Sequence, residues 1–387
     1  MKIAVPRETA EGEARAALTP QIAGQLVASG NEVLVQSGAG DAAHFGDAAY
    51  ADAGATIVPD VAALYGQADL VLRVGRPTNE EIDMLRPDAV LIGTLGTLSN
   101  PALAERLAER GITAISMDAI PRITRAQSMD SLSSQSTVGG YKAVLIAANR
   151  LPKFFPLLTT AAGTVRPARG LIMGAGVAGL MAIGTARRLG AVVEAFDVRP
   201  VVKEQVESLG ATFVEVPMTD EEKASAQTTG GYAREMNEDY QRRQSELIAE
   251  RVQAADFVIT TALIPGRPAP KLITAEMVRT MQPGSVIVDM AAEAGGNCEL
   301  TEPGREVVVD GVTIIGLTNL PATVPTHASQ MYAKNVQTLV DHLVHEGKLT
   351  LDLEDEITKG ATITHGGKIV HEATAAALAA RSGDAKP

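Results

Sequence analysis

Short apolar runs alternate with segments of helical periodicity along the first third of the chain. The segment 20–29 is one such helix, because its apolar residues recur at positions 22, 23, 26 and 27. Alternation of strands with helices is typical of a parallel, doubly wound sheet. The pattern predicts strands at residues 2–6, 32–36, 69–74, 89–95 and 112–117, and helices at 20–29 and 101–110.

A second series of the same kind follows a polar, Ser-rich stretch at residues 118–137. A helix predicted at 138–149 leads into it, and the polar residues 218–237, with Gly230 and Gly231, are expected to form a long mobile loop. The other predicted strands are 171–173, 191–196, 212–216, 256–263, 285–290 and 312–315, and the other predicted helices are 177–189, 201–209, 238–252 and 326–345.

The two series predict an α/β fold of two Rossmann-like, doubly wound parallel-sheet domains. The helices at 138–149 and 326–345 bracket the second series, which indicates that the second domain is inserted in the first. The predicted first domain is therefore discontinuous, with residues 1–132 and 326–387, and the predicted second domain takes residues 133–325.

Composition narrows the classes of protein that fit this pattern. Lys and Arg number 34 against 46 Asp and Glu, a net charge of −12, which disfavours a nucleic-acid surface and the basic face of a membrane binder. The single cysteine, Cys298, rules out an intrachain disulfide framework and suits a reducing cytoplasm. With no signal-peptide pattern and no long apolar run, we expect a cytoplasmic protein without direct membrane insertion.

A glycine motif of the form G-x-G-x-x-G follows the strand predicted at 171–173 and opens a predicted helix. Gly174 would permit a tight turn, Gly176 a close backbone approach to a pyrophosphate, and Gly179 a close contact of helix with strand. The N-terminus of the helix offers amide donors and a partial positive charge to an anion. Strand, loop and helix together predict a dinucleotide-binding turn.

Asp197 ends the next predicted strand, 18 residues past Gly179. A carboxylate at this place accepts hydrogen bonds from the adenosine ribose and repels a 2′-phosphate, which favours NAD over NADP. Arg199 leaves the alternative open, because an arginine can receive a 2′-phosphate. A glycine-rich contact between helix and sheet, without any ligand, is the other interpretation of the motif.

Side-chain donors and acceptors are dense in residues 122–136, at the predicted junction of two domains, where ligand clefts often form. The other interpretation is a solvated loop in which Ser133 or Ser136 is the N-cap of the next helix. His342 and His345 lie three positions apart on one predicted helix without a third ligand, so we assign no metal site.

Several longer strings resemble one family over essentially the whole chain, from Met1 to about His371. The family is the NAD(H)-binding component, domain I of the α subunit, of proton-translocating NAD(P)⁺ transhydrogenase, and alanine dehydrogenase is related to it. The strings are RITRAQSMDSLSSQ from Arg122, TAAGTV from Thr160, GAGVAGL from Gly174, KEQVESLG from Lys203, GGYAREM from Gly230, TTALIPG from Thr260 and EAGGNC from Glu293.

The resemblance implies roles for these segments in binding NAD(H). The glycine loop would hold the pyrophosphate, Asp197 the adenosine ribose and Gln127 the nicotinamide carboxamide, while Tyr232 would lie on the mobile loop that closes over the nucleotide. The residues implied to position the nicotinamide are Arg122, Gln127 and Asp130, and those implied to bind the cofactor are Ser133, Gly174, Gly176, Val177, Ala178, Gly179, Asp197, Val198, Arg199, Tyr232, Ala262 and Leu263.

The reaction implied is direct hydride transfer between C4 atoms, NADH + NADP⁺ giving NAD⁺ + NADPH, coupled by partner subunits to proton translocation across a membrane. This chain would bind only NAD(H), with NADP(H) and the proton channel on partners that hold it at the inner face of the membrane. Two nicotinamide rings exchanging hydride need close contact and no acid or base. The chain resembles the split-subunit form of the family, and a homodimer is expected.

Alanine dehydrogenases differ from this chain at positions that can be compared. They carry a histidine where this chain has Thr94, an aspartate where it has Glu293 and a lysine where it has Arg73, although they share Arg15. These differences argue against amino-acid oxidation, which needs a group to move a proton. An alanine dehydrogenase-like oxidoreductase and a non-catalytic NAD-sensing module are the two alternatives.

Overall fold

A computed structural model describes residues 1–216, 238–263, 266–345 and 347–383 of the 387-residue chain. The chain divides into two compact units. The first takes residues 1–135 and 321–387, and the second takes residues 136–320. The periodicity of the sequence predicts these boundaries at positions 132/133 and 325/326.

The first section of the first unit alternates strand and helix. Its strands are β1 Lys2–Val5, β2 Glu32–Gln36, β3 Thr56–Val58, β4 Leu70–Leu72, β5 Val90–Gly93 and β6 Thr113–Ser116. Its helices are α1 Pro20–Ala28, α2 Asp47–Asp52, α3 Val61–Gln67, α4 Asn79–Met84, α5 Pro101–Glu109 and α6 Ser131–Arg150, and short 3₁₀ turns lie at Asp41–Ala43 and Thr124–Met129.

Local sequence explains where several of these helices begin. Thr19 accepts a hydrogen bond from the amide of Ile22 and is followed by Pro20, which is preorganised for a first helical turn. Thr78 and Glu81 form a reciprocal capping box at the start of α4. The helix predicted at 138–149 is wrong at its N-terminus, because α6 begins at Ser131 and takes in the Ser-rich residues.

The second unit repeats the alternation after a hairpin. Its strands are β7 Leu158–Thr160, β8 Gly163–Val165, β9 Arg169–Met173, β10 Val192–Phe196, β11 Thr212–Val214, β12 Phe257–Thr260, β13 Val286–Asp289, β14 Glu306–Val309 and β15 Val312–Ile315. Its helices, besides residues 136–150 of α6, are α7 Val177–Arg188, α8 Lys203–Ser208, α9 Glu238–Ala254 and α10 Ala275–Thr280.

The last section of the chain returns to the first unit. Its helices are α11 Pro325–Leu343, α12 Glu356–Ala361 and α13 Glu372–Gly383, and its strands are β16 Val344–His345, β17 Lys348–Leu349, β18 Thr362–His365 and β19 Lys368–Ile369. β18 pairs antiparallel with β6 and so extends the first sheet. Tyr332, Val336 and Leu339 of α11 are buried in the same core as β1 and β4.

Both sheets have the strand order of a doubly wound fold. The first runs β19-β18-β6-β5-β4-β1-β2-β3, and the second runs β11-β10-β9-β12-β13-β15-β14. The central strands are parallel in both, and antiparallel strands lie only at one edge of each among the described residues. The predicted pair of Rossmann-like sheets, the second inserted in the first, is confirmed.

Each sheet reverses its strand order at one place, and ligands of such folds bind at the carboxyl ends of the strands there. The reversal lies between β1 and β4 in the first sheet and between β9 and β12 in the second. A binding site is therefore expected at one of these two switch points. In the described portion of the chain, no helix combines the length and apolar character needed to cross a bilayer.

Candidate functional site

The glycine motif of the second unit lies at the carboxyl end of β9, at the switch point. Gly174 has a φ of +99°, and a Cβ there would lie 2.5 Å from the hydroxyl of Thr261. A Cβ on Gly179 would lie 1.8 Å from the carbonyl oxygen of Gly174. Both glycines are therefore required for α7 to start this close to the strand.

Gly176 differs from the other two glycines. It is the N-cap of α7, and the nearest atom to a Cβ built on it is a guanidinium nitrogen of Arg199, 4.0 Å away. Among the described residues no close neighbour forbids a side chain here, so the bare backbone leaves room above this part of the loop. The first amides of α7, at Val177 and Ala178, have no partner within the helix, and the helix dipole adds partial positive charge. The arrangement suits an anion such as pyrophosphate.

Asp197 follows β10 and its carboxylate faces the glycine loop. One oxygen, Oδ2, accepts hydrogen bonds from the amide of Ala175 at 2.7 Å and from Nη2 of Arg199 at 2.9 Å. The other, Oδ1, accepts from the amide and Nε of Arg199 at 2.8 and 2.9 Å. Burial by itself raises the pKa of Asp197, but these hydrogen bonds outweigh it and hold the pKa below its ordinary value.

The four donors fill the acceptor positions of this carboxylate. A ribose hydroxyl therefore reaches Asp197 only by replacing the guanidinium of Arg199, whose side chain is 39% exposed while that of Asp197 is 5% exposed. Arg199 is thus the more exposed partner of a buried carboxylate. Apolar side chains line a shallow crevice beside Asp197, namely Phe196, Val198, Pro200, Phe213, Val214 and Val216.

The segment after β12 forms the other side of the switch point. The amide of Thr261 donates to the carbonyl of Met173 at 2.8 Å, and its hydroxyl donates to the carbonyl of Gly174 at 3.1 Å. These bonds join the segment to the start of the glycine loop. Ala262 is half-buried, and Leu263 is 54% exposed beyond the carboxyl end of β12.

Two glycines that the sequence reasoning missed support the loop from α6. A Cβ on Gly140 would lie 2.1 Å from the carbonyl oxygen of Ala178, and one on Gly139 would lie 2.8 Å from Met290. Glycine at position 140 is therefore required for α6 to pack this closely against the first turn of α7, while Gly139 leaves room for the end of the Met290 side chain. The signal was available, because a pair of glycines inside an apolar helix destabilises it unless packing requires them.

The Ser-rich residues of the first unit begin a helix and do not form a solvated loop. Asp130 caps α6, since its carboxylate accepts from the amide of Ser133 at 2.9 Å and from its hydroxyl at 2.6 Å. The N-cap predicted at Ser133 or Ser136 is therefore wrong. Arg122 and Gln127 are exposed, and neither side chain has a hydrogen-bond partner among the described residues. Tyr232 and the loop predicted at 218–237 lie outside the described residues.

The switch point of the first unit is filled by its own charges. Arg73, completely buried after β4, contacts Glu81 at 2.5 Å, Tyr65 at 2.8 Å and Glu8 at 3.2 Å. Glu8 also accepts from the amide of Val74 at 2.6 Å. Burial raises the pKa of Glu8 and outweighs the attraction of Arg73. We call Glu8, Tyr65, Arg73 and Glu81 the buried ion cluster.

The other positions at which alanine dehydrogenases were compared are also engaged. Arg15 donates to both oxygens of Glu13, at 2.8 and 2.6 Å, and to the carboxamide of Gln135 at 2.9 Å. In the second unit, Glu293 accepts from the backbone amide of Asn319 at 2.9 Å. The two arginines that could bind a substrate carboxylate are therefore each paired with a carboxylate of the chain.

Family models match both halves of the chain. The alanine dehydrogenase/PNT N-terminal domain matches residues 4–139, and the alanine dehydrogenase/PNT C-terminal domain matches residues 143–372.

Individual proteins match at full length. The chain is 50% identical over 380 residues to the first portion of NAD(P) transhydrogenase subunit alpha of Rhodospirillum rubrum, a match that covers 96% of this chain and 98% of the relative. The solved structure of transhydrogenase from Sinorhizobium meliloti is 43% identical with a TM-score of 0.87, covering 95% of this chain and 100% of that one. An L-alanine dehydrogenase structure is 28% identical with a TM-score of 0.81, covering 98% and 99%.

Proposed function

The chain belongs to the alanine dehydrogenase/PNT family, and we propose that it is the NAD(H)-binding subunit of a proton-translocating transhydrogenase. Its higher identity to the named transhydrogenases than to the alanine dehydrogenase supports this assignment. The reaction is direct hydride transfer from C4 of NADH on this chain to C4 of NADP⁺ on a partner, giving NAD⁺ and NADPH.

The observation that carries the proposal is the switch point of the second unit. The amides of Val177 and Ala178 bind the pyrophosphate where Gly176 leaves the backbone bare, and Asp197 receives the adenosine ribose as Arg199 moves aside. The crevice beside Asp197 takes the adenine, with Val198 in its wall. A carboxylate at the ribose position repels a 2′-phosphate, so the nucleotide is NAD(H) rather than NADP(H).

At the nicotinamide end, Gln127 holds the carboxamide, and Arg122 and Asp130 help to orient the ring. The exposed side chains of Arg122 and Gln127 support this role. Neither has a hydrogen-bond partner among the described residues, so binding the nucleotide would break no existing hydrogen bond of theirs there. Ser133 binds the nucleotide beside them, and its hydroxyl is already oriented by Asp130. Ala262 and Leu263 line the nucleotide site on the far side of the glycine loop. No proton moves at these residues, because hydride passes between the two rings.

The partners of the chain are a membrane-spanning assembly that binds NADP(H), at the inner face of the membrane, and a second copy of this chain. The hairpin of β7 and β8 supports the homodimer. Within the described residues its strands pair only with each other, and Phe154, Leu157 and Val165 around it are exposed. A lone two-stranded hairpin is marginal in water and needs a surface to cover it. Leu157→Asp should shift the chain toward monomer in analytical ultracentrifugation, and an unchanged dimer would count against this contact.

Alanine dehydrogenase activity is disfavoured by the pairing of Arg73 and Arg15. Each guanidinium already bonds a carboxylate of the chain, so a 2-oxo acid would have to displace a buried ion pair. A non-catalytic NAD-sensing module shares the same nucleotide site and differs only in having no turnover.

The test combines this chain with the NADP(H)-binding component of a transhydrogenase and follows reduction of an NADP⁺ analogue by NADH. We expect turnover that needs both components, and none with either alone. Turnover of pyruvate and ammonia by the chain alone would instead identify an alanine dehydrogenase. NADH binding without turnover in either assay would identify the sensing module.

A further inference from the structure

The segment EAGGNC, residues 293–298, contains the buried residue Asn297. Its carboxamide bonds three backbone groups: Oδ1 accepts from the amide of Ala262 at 3.0 Å, and Nδ2 donates to the carbonyls of Ala262 and Pro270 at 2.9 and 2.8 Å. Both polar groups of the Ala262 backbone are thereby fixed by one side chain. Asn297 itself is fully buried.

The loop that carries Asn297 is held by Asp289 at the end of β13. This buried carboxylate accepts from the hydroxyls of Thr260 and Thr301, at 2.9 and 2.6 Å, and from the amide of Cys298 at 3.0 Å. Gly296 has a φ of +79°, and a Cβ there would lie 2.7 Å from the carboxylate. The glycine thus lets the loop close over Asp289, and the closure sets the position of the next residue, Asn297.

Ala262 lies between a fixed residue and an exposed one. Thr261 before it is bonded to the carbonyl of Gly174, while Leu263 after it is exposed beyond the carboxyl end of β12. Within the part of the chain that the structure describes, Asn297 supplies the side-chain bonds that hold the backbone directly after Thr261. The orientation of Leu263 relative to the glycine loop therefore depends on the carboxamide of Asn297.

We propose that Asn297 is a positioning residue for the nucleotide: it fixes the Ala262 backbone so that Leu263 stands against bound NAD(H) beside the glycine loop. The inference rests on the proposed function, which places Ala262 and Leu263 in the nucleotide site. The three hydrogen bonds require an asparagine at position 297. Aspartate would place a carboxylate oxygen against the carbonyl oxygens of Ala262 and Pro270, and alanine would lose all three bonds.

The experiment measures NADH dissociation constants, from the fluorescence of NADH itself, for wild type, Asn297→Ala, Leu263→Ala and the double variant. We expect Asn297→Ala to weaken binding about tenfold, the scale of one or two lost hydrogen bonds. Because Asn297 acts through Leu263, the double variant should bind little more weakly than Asn297→Ala alone. A merely structural asparagine would instead give independent, additive losses.

Asn31→Ala is the matched control, since the carboxamide of Asn31 in the first unit is also buried and bonds the carbonyl of Leu26 at 3.1 Å. It should lower the melting temperature without changing NADH affinity.

If Asn297→Ala does not fold, Asn297→Ser, which keeps one donor, takes its place. Wild-type affinity in a folded Asn297 variant would overturn this inference alone, whereas absence of NADH binding to wild type would overturn the proposed function with it.

Discussion

The two units share one fold and differ at its switch point. In the second, β9 leads through residues 174–176 directly into α7, and the helix start stands open above Gly176. In the first, residues 6–19 separate β1 from α1, and the carboxylate of Glu8 lies in this stretch against Arg73 and the amide of Val74. The same strand order thus gives one open anion site and one site occupied by an internal ion cluster. The residues of the first turn, not the fold, make the difference between the two switch points, and in the proposed function they determine which unit binds the nucleotide.

Arg73→Met is expected to have the largest effect, because it removes the cation of the buried ion cluster and leaves two buried carboxylates. We expect the free energy of unfolding to fall by about 3–5 kcal/mol. Arg86→Met is the control, since the ion pair of Arg86 with Asp69 is exposed and contributes about 0–1 kcal/mol. Urea unfolding followed by circular dichroism measures both, and equal losses would show that the cluster is not a structural feature.

Gly179→Ala tests the open switch point. The added methyl group would meet the carbonyl of Gly174 at 1.8 Å, so the loop must shift, and we expect NADH affinity to fall roughly tenfold to a hundredfold. Gly184→Ala on the same helix is the control. Its methyl group would lie 3.9 Å from its nearest neighbours among the described residues, so stability should rise by about 0.5–1 kcal/mol and affinity should not change. If Gly179→Ala and Gly184→Ala bound NADH with similar affinity, the glycine loop would not be part of the nucleotide site.

Asp197→Ala removes the acceptor for the ribose in the second unit. We expect NADH to bind about tenfold more weakly, as for loss of hydrogen bonds to a charged group, and the preference for NADH over NADPH to shrink. Glu306→Ala, which removes an exposed partner of Arg150, is the control and should leave both affinities unchanged. An Asp197 variant that keeps the wild-type affinity and selectivity contradicts the ribose role.

The pH dependence of stability should have opposite signs at the two switch points. Because the pKa of Glu8 is raised in the folded protein, its contribution to the free energy of unfolding is complete at a pH below the ordinary carboxyl pKa. That contribution declines as the pH rises through the folded-state pKa. Because the pKa of Asp197 is lowered in the folded protein, its contribution to the free energy of unfolding is complete at a pH above the ordinary carboxyl pKa. That contribution is lost as the pH falls through the folded-state pKa.

Unfolding free energies of wild type, Glu8→Gln and Asp197→Asn between about pH 3 and pH 7 separate the two slopes, each at most about 1.4 kcal/mol per pH unit. Relative to wild type, Glu8→Gln should gain stability as the pH rises and Asp197→Asn should lose it. Parallel curves would refute the contrast between the two carboxylates.

Sequence reasoning found what contiguous residues encode and missed what distant residues bring together. The glycine motif and the position of Asp197 were readable because the turn, the helix start and the strand end lie within one βα unit. The start of α6 was placed too late, because serines have modest helix propensity and the cap at Asp130 depends on its own turn geometry. The buried ion cluster joins Glu8 to Arg73 and Glu81, and Asn297 reaches back to Ala262, so neither contact has a local signal.

Equilibrium binding of NADH and NADPH to the isolated wild-type chain tests the central claim most directly, because it asks whether the open switch point is a nucleotide site at all. We predict saturable binding of one NADH per chain, with NADPH bound at least about tenfold more weakly because Asp197 repels its 2′-phosphate. Absence of saturable NADH binding, or equal affinity for the two nucleotides, would contradict the account.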